Sequence, residues 1–332
     1  MLFNSFEFLI FLPIVFLLYW FVFKPLRWQN LFIVAVSYIF YGWWDWRFLI
    51  LIAFTTLCSF ASGIVLERLE GQRTKQKWVS AANITLNLLI LCIFKYFNFF
   101  GELLGGIMGL FGGKAPHLDL IAPLGLSYFT FQSLGYVIDV YLHQTKAERN
   151  PLKYALFVSF FPCIFTGPIE RKDHLMAQFE HPRRFDYDRI AGGLFRGLWG
   201  YVKKMVIADN IGVFVRAVYS APDQHTGPYL LAASLLFSYQ IYMDFSGCCD
   251  IAIGAARMLG FDLLENFNRP FAAKTYTELW NRWHMSLTNW FREYVYFPLG
   301  GNRVSKPRLF FNLLVVWAAT GIWHGASWNF LI

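Results

Sequence analysis

Apolar runs long enough to cross a bilayer recur along this chain, separated by short polar and basic stretches. A spanning helix needs about 20 predominantly apolar residues, and the first five runs predict helices near 6–23, 28–44, 48–66, 78–100 and 120–141. Later runs occupy 190–220, 229–260 and 309–332, the first of them interrupted by Lys203, Lys204 and Asp209. The pattern predicts an all-α fold, a polytopic membrane helix bundle forming a single domain over residues 1–332. No internal repeat is visible, which counts mildly against the duplicated halves of many secondary transporters.

Two places break the pattern. Between Leu152 and Glu170 the chain is apolar but short, and Phe160-Phe161-Pro162 followed by Gly167-Pro168 sets prolines where a straight helix would lose backbone hydrogen bonds. A re-entrant or broken segment is expected, facing an internal chamber, because irregular backbone survives at membrane depth only when buried in protein or lining a cavity. The last run ends at Trp328-Asn329-Phe330-Leu331-Ile332 with no polar flank to anchor it at an interface, so the chain is expected to lack a C-terminal part.

Composition agrees with lipid as the principal solvent: 57% of residues are hydrophobic, 20% aromatic and 15% charged, against about 25% charged in ordinary soluble domains. Glu7, rather than a basic segment, precedes the first run, and Phe23-Lys24-Pro25 offers no small-residue cleavage site, so this run reads as a retained helix. Cys58, Cys92, Cys163, Cys248 and Cys249 lie in apolar runs without zinc-type spacing and read as packing residues.

The net charge of +8 does not call for nucleic acid, because the cations cluster between apolar runs. Loops one, three and five carry Lys24, Arg27, Arg68, Arg73, Lys75, Lys77, Lys146, Arg149 and Lys153, whereas loops two and four carry only Arg47 and Lys114. The positive-inside rule then puts the odd loops in the cytoplasm and the N-terminus on the outer side of the membrane. A basic stretch of Arg171, Lys172, Arg183, Arg184 and Arg189 reads first as a contact for anionic lipid headgroups and second as a site for a phosphate-bearing donor.

GxSxG, HExxH, Walker and GxGxxG motifs are absent. What remains are polar groups inside apolar runs, each a functional candidate by default. Fifteen residues beyond Leu309, His324 would lie about 22 Å into a hydrocarbon core about 30 Å thick if its run is one helix. Gly321 and Gly325 leave room beside it, and Trp323 and Trp328 supply flat apolar walls. A hydrogen-bonded packing histidine fits the same position. His284 lies in a stretch whose apolar members Trp280, Trp283, Leu287, Trp290, Phe291 and Tyr294 recur at helical spacing, with Asn281, His284 and Thr288 on one polar stripe. On spacing alone this is an interfacial helix with a solvated histidine ahead of a chamber wall. Asp139, Asp244 and Asp250 need partners in apolar surroundings, with Arg282 or Arg292 as candidates. His117, His143, His174, His181 and His225 sit among loop-type residues, where a solvated role is the default.

Five stretches together resemble the membrane-bound O-acyltransferases, in particular the bacterial branch of alginate O-acetylases: Leu124 to Tyr141, Phe161 to Arg171 (FPCIFTGPIER), Tyr239 to Gly254, Asn266 to Arg303, and Gly321 to Asn329 (GIWHGASWN). The likeness spans nearly the whole chain. It implies that His324, in Trp323-His324-Gly325, is the essential histidine and that His284, in Arg282-Trp283-His284, is the second. Asn281, Arg282, Trp283, Trp323 and Asp244 are then the expected substrate-contacting residues. The resemblance further implies a many-helix bundle around a tunnel, additional helices after the histidine motif, no bound cofactor, and an acyl donor such as acetyl-CoA. It implies a bacterial inner-membrane location with a periplasmic acetyltransferase partner beside polysaccharide export machinery. Pro298-Leu299-Gly300-Gly301-Asn302-Arg303 is more similar to the polysaccharide O-acetylase branch than to the branch that D-alanylates teichoic acid.

Rival readings are a transporter or flippase for a lipid-linked glycan, a membrane glycosyltransferase using Asp45 of Trp43-Trp44-Asp45-Trp46, and an inactive fragment.

Overall fold

Ser5 begins the regular structure: its hydroxyl accepts a hydrogen bond from the Phe8 N–H at 3.3 Å, and Glu7 lies in the first turn, where the helix dipole favours a carboxylate. The computed structural model describes residues 1–101, 105, 121 and 123–330. Lys114 and His117, read above as loop residues, and the chain end at Leu331 and Ile332 lie outside the described residues. Among the described residues all regular structure is helical, in two compact units, Met1–Leu49 with Ala155–Met285 and Ile50–Tyr154 with Ser286–Ile332.

In the first unit α1 (Phe6–Leu17) passes into a π turn (Leu18–Val22), and α2 spans Leu26–Gly42. In chain order there follow α3 (Arg47–Arg68), α4 (Arg73–Leu91), α5 (Leu126–Tyr141) and α6 (Pro151–Ser159). The predicted break between Leu152 and Glu170 takes the form of α6 followed by irregular backbone from Phe160 to Arg171, buried throughout most of its length. Aromatic rings hold it: Phe161 packs on Phe11 at 5.5 Å and Phe40 at 5.4 Å, and Phe160 on Phe261 at 4.9 Å. The freed Phe161 N–H donates to the Ser37 hydroxyl at 3.1 Å. Gly167 is obligatory in this turn, since a Cβ there would stand 2.3 Å from the Pro162 carbonyl oxygen.

Glu170 closes the segment, accepting the Leu264 N–H at 2.7 Å and meeting His174 Nδ1 at 2.7 Å on α7 (Lys172–Gln178). His174 is thus engaged rather than simply solvated. The Glu170 carboxylate raises the His174 pKa. The contact therefore contributes stability fully present below the unfolded-chain value of about 6.5 and lost as pH rises through the higher folded value. His174→Gln is expected to lower the melting temperature more at about pH 6 than at about pH 9, and equal losses would exclude this linkage.

Part of the basic stretch is structural. Arg183 donates to the Asn30 carboxamide oxygen at 2.6 Å and the Gln178 carbonyl at 3.1 Å while lying 4.5 Å over the Phe261 ring. Arg189 pairs with Asp262 at 2.9 Å.

The interrupted run 190–220 becomes α8 (Tyr187–Tyr201), a π segment (Val202–Ala208) and α9 (Asp209–Ser220), and the next run becomes α10 (Gly227–Met258). Helices α8 and α10 meet through glycines: a Cβ at Gly193 would lie 2.8 Å from the Gly254 carbonyl oxygen, and one at Gly200 would lie 2.6 Å from that of Gly247. Such small-residue seams allow the close backbone approach typical of helix pairs in lipid.

The acidic residues of α10 find their cations across this seam, and not in Arg282 or Arg292. Arg196 Nε donates to Asp250 at 2.9 Å and Lys203 to its other oxygen at 2.6 Å, while Lys204 bridges Asp209 and Asp244. The π segment brings Lys203 and Lys204 to the glycine contact, so lysine on the neighbouring helix reaches the carboxylates first. Asp250→Ala is expected to destabilise this unit by about 3 kcal/mol, because it leaves the largely buried Lys203 ammonium without its carboxylate and Arg196 with Glu265 alone. A thermal-shift measurement on the purified chain checks it.

The second unit buries polar side chains and exposes apolar ones. Thr55, Ser59, Asn83 and Asn87 are buried on α3 and α4, whereas Phe54, Leu57, Leu89 and Ile93 are exposed. Asn83 donates to the Ser62 hydroxyl at 3.0 Å, and Asn87 to the Asn83 carboxamide oxygen at 3.1 Å. Water as the outer solvent would invert this arrangement, and hydrocarbon explains it. Helix α3 and the run Arg73–Gly101, which contains α4 and a π turn (Cys92–Tyr96), are long and apolar enough to cross a membrane. Asp139 on α5 accepts the Tyr294 hydroxyl at 2.8 Å.

Candidate active site

His284 sits at a break, not within a continuous amphipathic helix. Helix α11 (Tyr276–Trp280) ends, and α12 (Met285–Phe291) starts immediately after His284, whose φ of 41° is left-handed. Two backbone hydrogen bonds capture the turn: the Asn268 N–H donates to the Arg282 carbonyl, and the Met285 N–H to the Asn266 carbonyl, each at 2.9 Å. These non-local bonds replace helical ones, which periodicity cannot foresee. The common stripe expected for Asn281, His284 and Thr288 is therefore dissolved.

His284 is buried at 4% exposure, its ring edge-on to Phe245 with centroids 4.6 Å apart. A left-handed non-glycine residue of this kind is uncommon and marks a place where the surroundings impose the backbone. Trp283 joins an aromatic cluster with Phe267 at 5.1 Å and Tyr242 at 6.0 Å. Arg282 is tied to Glu278 at 2.7 Å and also reaches the Asn268 carbonyl, while Asn281 is exposed at the end of α11. Asp244 is adjacent in sequence to Phe245 but is held by Lys204.

His324 and Trp323 belong to the other unit. Helix α13 (Lys306–His324) ends on the histidine, and Gly325 continues in extended conformation, its N–H donating to the Gly321 carbonyl at 3.3 Å. A Cβ at Gly325 would meet the Phe330 ring at 2.1 Å, so glycine lets that ring pack directly on the backbone. Trp323 is buried against Tyr128 at 5.7 Å and Phe131 at 6.0 Å, and Phe131 in turn stacks on Trp290 at 4.1 Å. The imidazole of His324 stands perpendicular to the Trp323 ring, 4.8 Å away, with its side chain exposed.

The tautomer of His324 follows from its partner. Nδ1 lies 2.8 Å from the Thr320 carbonyl oxygen, which only accepts, so Nδ1 carries the proton and the neutral ring presents an unprotonated Nε2. A ring held in this way is set up to take a proton at Nε2.

Lys95 and Tyr96 complete this cluster, and the sequence reading passed over both. Lys95 donates to the Trp323 carbonyl and, at 3.4 Å, to the Ser127 hydroxyl, while the Tyr96 hydroxyl donates to the Ile322 carbonyl. The signal was available: a single lysine inside Leu88 to Phe100, otherwise apolar apart from Tyr96 and Asn98, is itself a functional flag. Among the described residues no group of three or more His, Cys, Asp or Glu could hold a metal ion.

Residues 38–332 match the family model of the membrane-bound O-acyltransferases. Over the full chain the sequence is 39% identical to the probable alginate O-acetylase AlgI of Azotobacter vinelandii, of which it covers 66%, and 34% identical to the peptidoglycan O-acetyltransferase of Helicobacter pylori, of which it covers 68%. Identity to the teichoic acid D-alanyltransferase of Bacillus subtilis is 29%, over 71% of this chain and 65% of that protein. The chain thus spans about two thirds of the length of the curated relatives it matches, at 66% for the first. The family model, and similarity over the whole of this chain, together show that it belongs to the membrane-bound O-acyltransferase family.

Proposed function

We propose that the protein is a polytopic inner-membrane O-acyltransferase that moves an acetyl group from cytoplasmic acetyl-CoA towards hydroxyls of an exported, alginate-like polysaccharide. The observation that carries this reading is His324, with Nδ1–H fixed on Thr320 and Nε2 left to act as general base. In this scheme Nε2 removes the proton of the attacking hydroxyl as its oxygen bonds to the thioester carbonyl carbon. The tetrahedral intermediate then expels the thiolate, which takes the proton back from the imidazolium. His284 positions the donor or acceptor, or donates a hydrogen bond to the developing oxyanion. Asn281, Arg282, Trp283, Trp323 and Asp244 are the substrate-contacting residues of this reading, with Asp244 oriented by Lys204, Arg282 by Glu278, and Trp283 and Trp323 packed in the clusters around the two histidines.

The buried, irregular Phe160 to Arg171 backbone supports a re-entrant segment lining an internal chamber of the bundle. The loop charges support a periplasmic N-terminus. A periplasmic acetyltransferase would complete delivery beside the export machinery. Similarity to O-acetylases over the whole of this chain at up to 39% identity, against 29% over 71% of it for a D-alanyltransferase, supports acetyl over D-alanyl transfer.

The test uses membrane vesicles containing the full chain, acetyl-labelled acetyl-CoA and unacetylated alginate, with and without a periplasmic acetyltransferase. Label in the polymer is the expected result. Polymer or lipid-linked glycan crossing the membrane with no label transferred would support the transporter reading.

A further inference from the structure

Helix α13 stops at His324, and the last carbonyls of any helix need donors from outside it. Here three consecutive ones are accounted for. Gly321 receives the Gly325 N–H, Ile322 the Tyr96 hydroxyl, and Trp323 the Lys95 ammonium. The two side-chain donors are neighbours on the π turn Cys92–Tyr96, a local widening of the helix often found at functional sites. Lys95 is anchored from a second side by Ser127 at 3.4 Å, at the start of α5. Its cation also stands at the negative end of the α13 dipole.

We propose that Lys95 is a positioning residue for His324, with Tyr96 as its auxiliary: the ammonium clamps the Trp323 carbonyl and so fixes the direction in which the next residue presents its imidazole. This rests on the reading of His324 as general base. A lone lysine in an apolar run is costly to retain, and a backbone clamp on the residue before the histidine accounts for it. Its consequence is geometric. Without the clamp the end of α13 is free to fray, and Nε2 loses the alignment on which proton removal depends.

The experiment compares wild type, Lys95→Met, Lys95→Arg and His324→Ala as full chains in vesicles, at matched amounts, using acetyl-labelled acetyl-CoA, a periplasmic acetyltransferase and unacetylated alginate. Lys95→Met should lower kcat by about 10²-fold with KM for acetyl-CoA nearly unchanged, the size expected for a small misalignment. Lys95→Arg should restore most of the rate, because its guanidinium can donate to the same carbonyl. The double variant Lys95→Met/His324→Ala should be no slower than His324→Ala alone, since both act through one base. A Lys95→Met enzyme with wild-type kcat, while His324→Ala is inactive, overturns the positioning role. An active His324→Ala enzyme overturns the underlying reading instead. Elution of each variant as a single detergent-solubilised species shows that folding is intact; Lys95→Met aggregation with no rescue by Lys95→Arg would assign the lysine to stability and also overturn the proposal.

Discussion

Gly254→Leu is expected to leave little folded protein in the membrane. A Cβ at this position would sit 2.5 Å from the Gly193 carbonyl oxygen and 2.7 Å from the Gly197 backbone nitrogen, with only backbone to yield on the other side. The opposing helix cannot move by a rotamer change. It must separate, and separation pulls Arg196 and Lys203 away from Asp250 along the same seam. Overpacking inside a formed core costs about 1–3 kcal/mol, and loss of the ion pairs adds a further penalty of about 3 kcal/mol, together a large part of the about 5–15 kcal/mol stability of a typical domain. Quantifying the full-length chain in isolated membranes checks this, with Gly192→Leu as control, since a Cβ at Gly192 meets nothing within 4 Å. Wild-type accumulation of Gly254→Leu would mean that the α8–α10 contact is not as close as described.

His324→Ala is expected to remove nearly all acyl transfer while leaving the protein in the membrane. The side chain is exposed, and its hydrogen bond is to the carbonyl of Thr320 in its own helix, so its loss costs little packing. Loss of a general base lowers the rate by about 10²–10⁴-fold. His324→Gln sharpens the point: its carboxamide can donate to a carbonyl but cannot take up a proton, so it should be as slow as alanine. A glutamine enzyme near the wild-type rate would reduce His324 to a hydrogen-bond donor.

Much of the helical layout was legible because lipid solvation imposes a length on apolar runs. Runs at 6–23, 48–66 and 229–260 became Phe6–Val22, Arg47–Arg68 and Gly227–Met258, displaced by a few residues at most. The break after Ser159 was visible for the same reason, as proline cannot donate to a helical ladder. His324 stood out as a candidate base through its glycine and tryptophan neighbours. What escaped depended on contacts distant in sequence. His284 lies in a stretch with helical spacing, yet Asn266 and Asn268 capture its backbone from another loop. The partners of Asp244 and Asp250 lie more than 35 residues upstream, at Lys204, Lys203 and Arg196, and nothing in local pattern selects them over Arg282. Lys95 was a polar residue in an apolar run like the others, but its purpose became readable only with the end of α13 beside it.

The measurement that bears most directly on His324 as the base of an acyl transfer is label incorporation from acetyl-labelled acetyl-CoA into alginate, in the presence of a periplasmic acetyltransferase, in vesicles holding equal amounts of either wild-type or His324→Ala protein. The account predicts labelled polymer with wild type and none above background with the alanine variant. Equal labelling by both would contradict it.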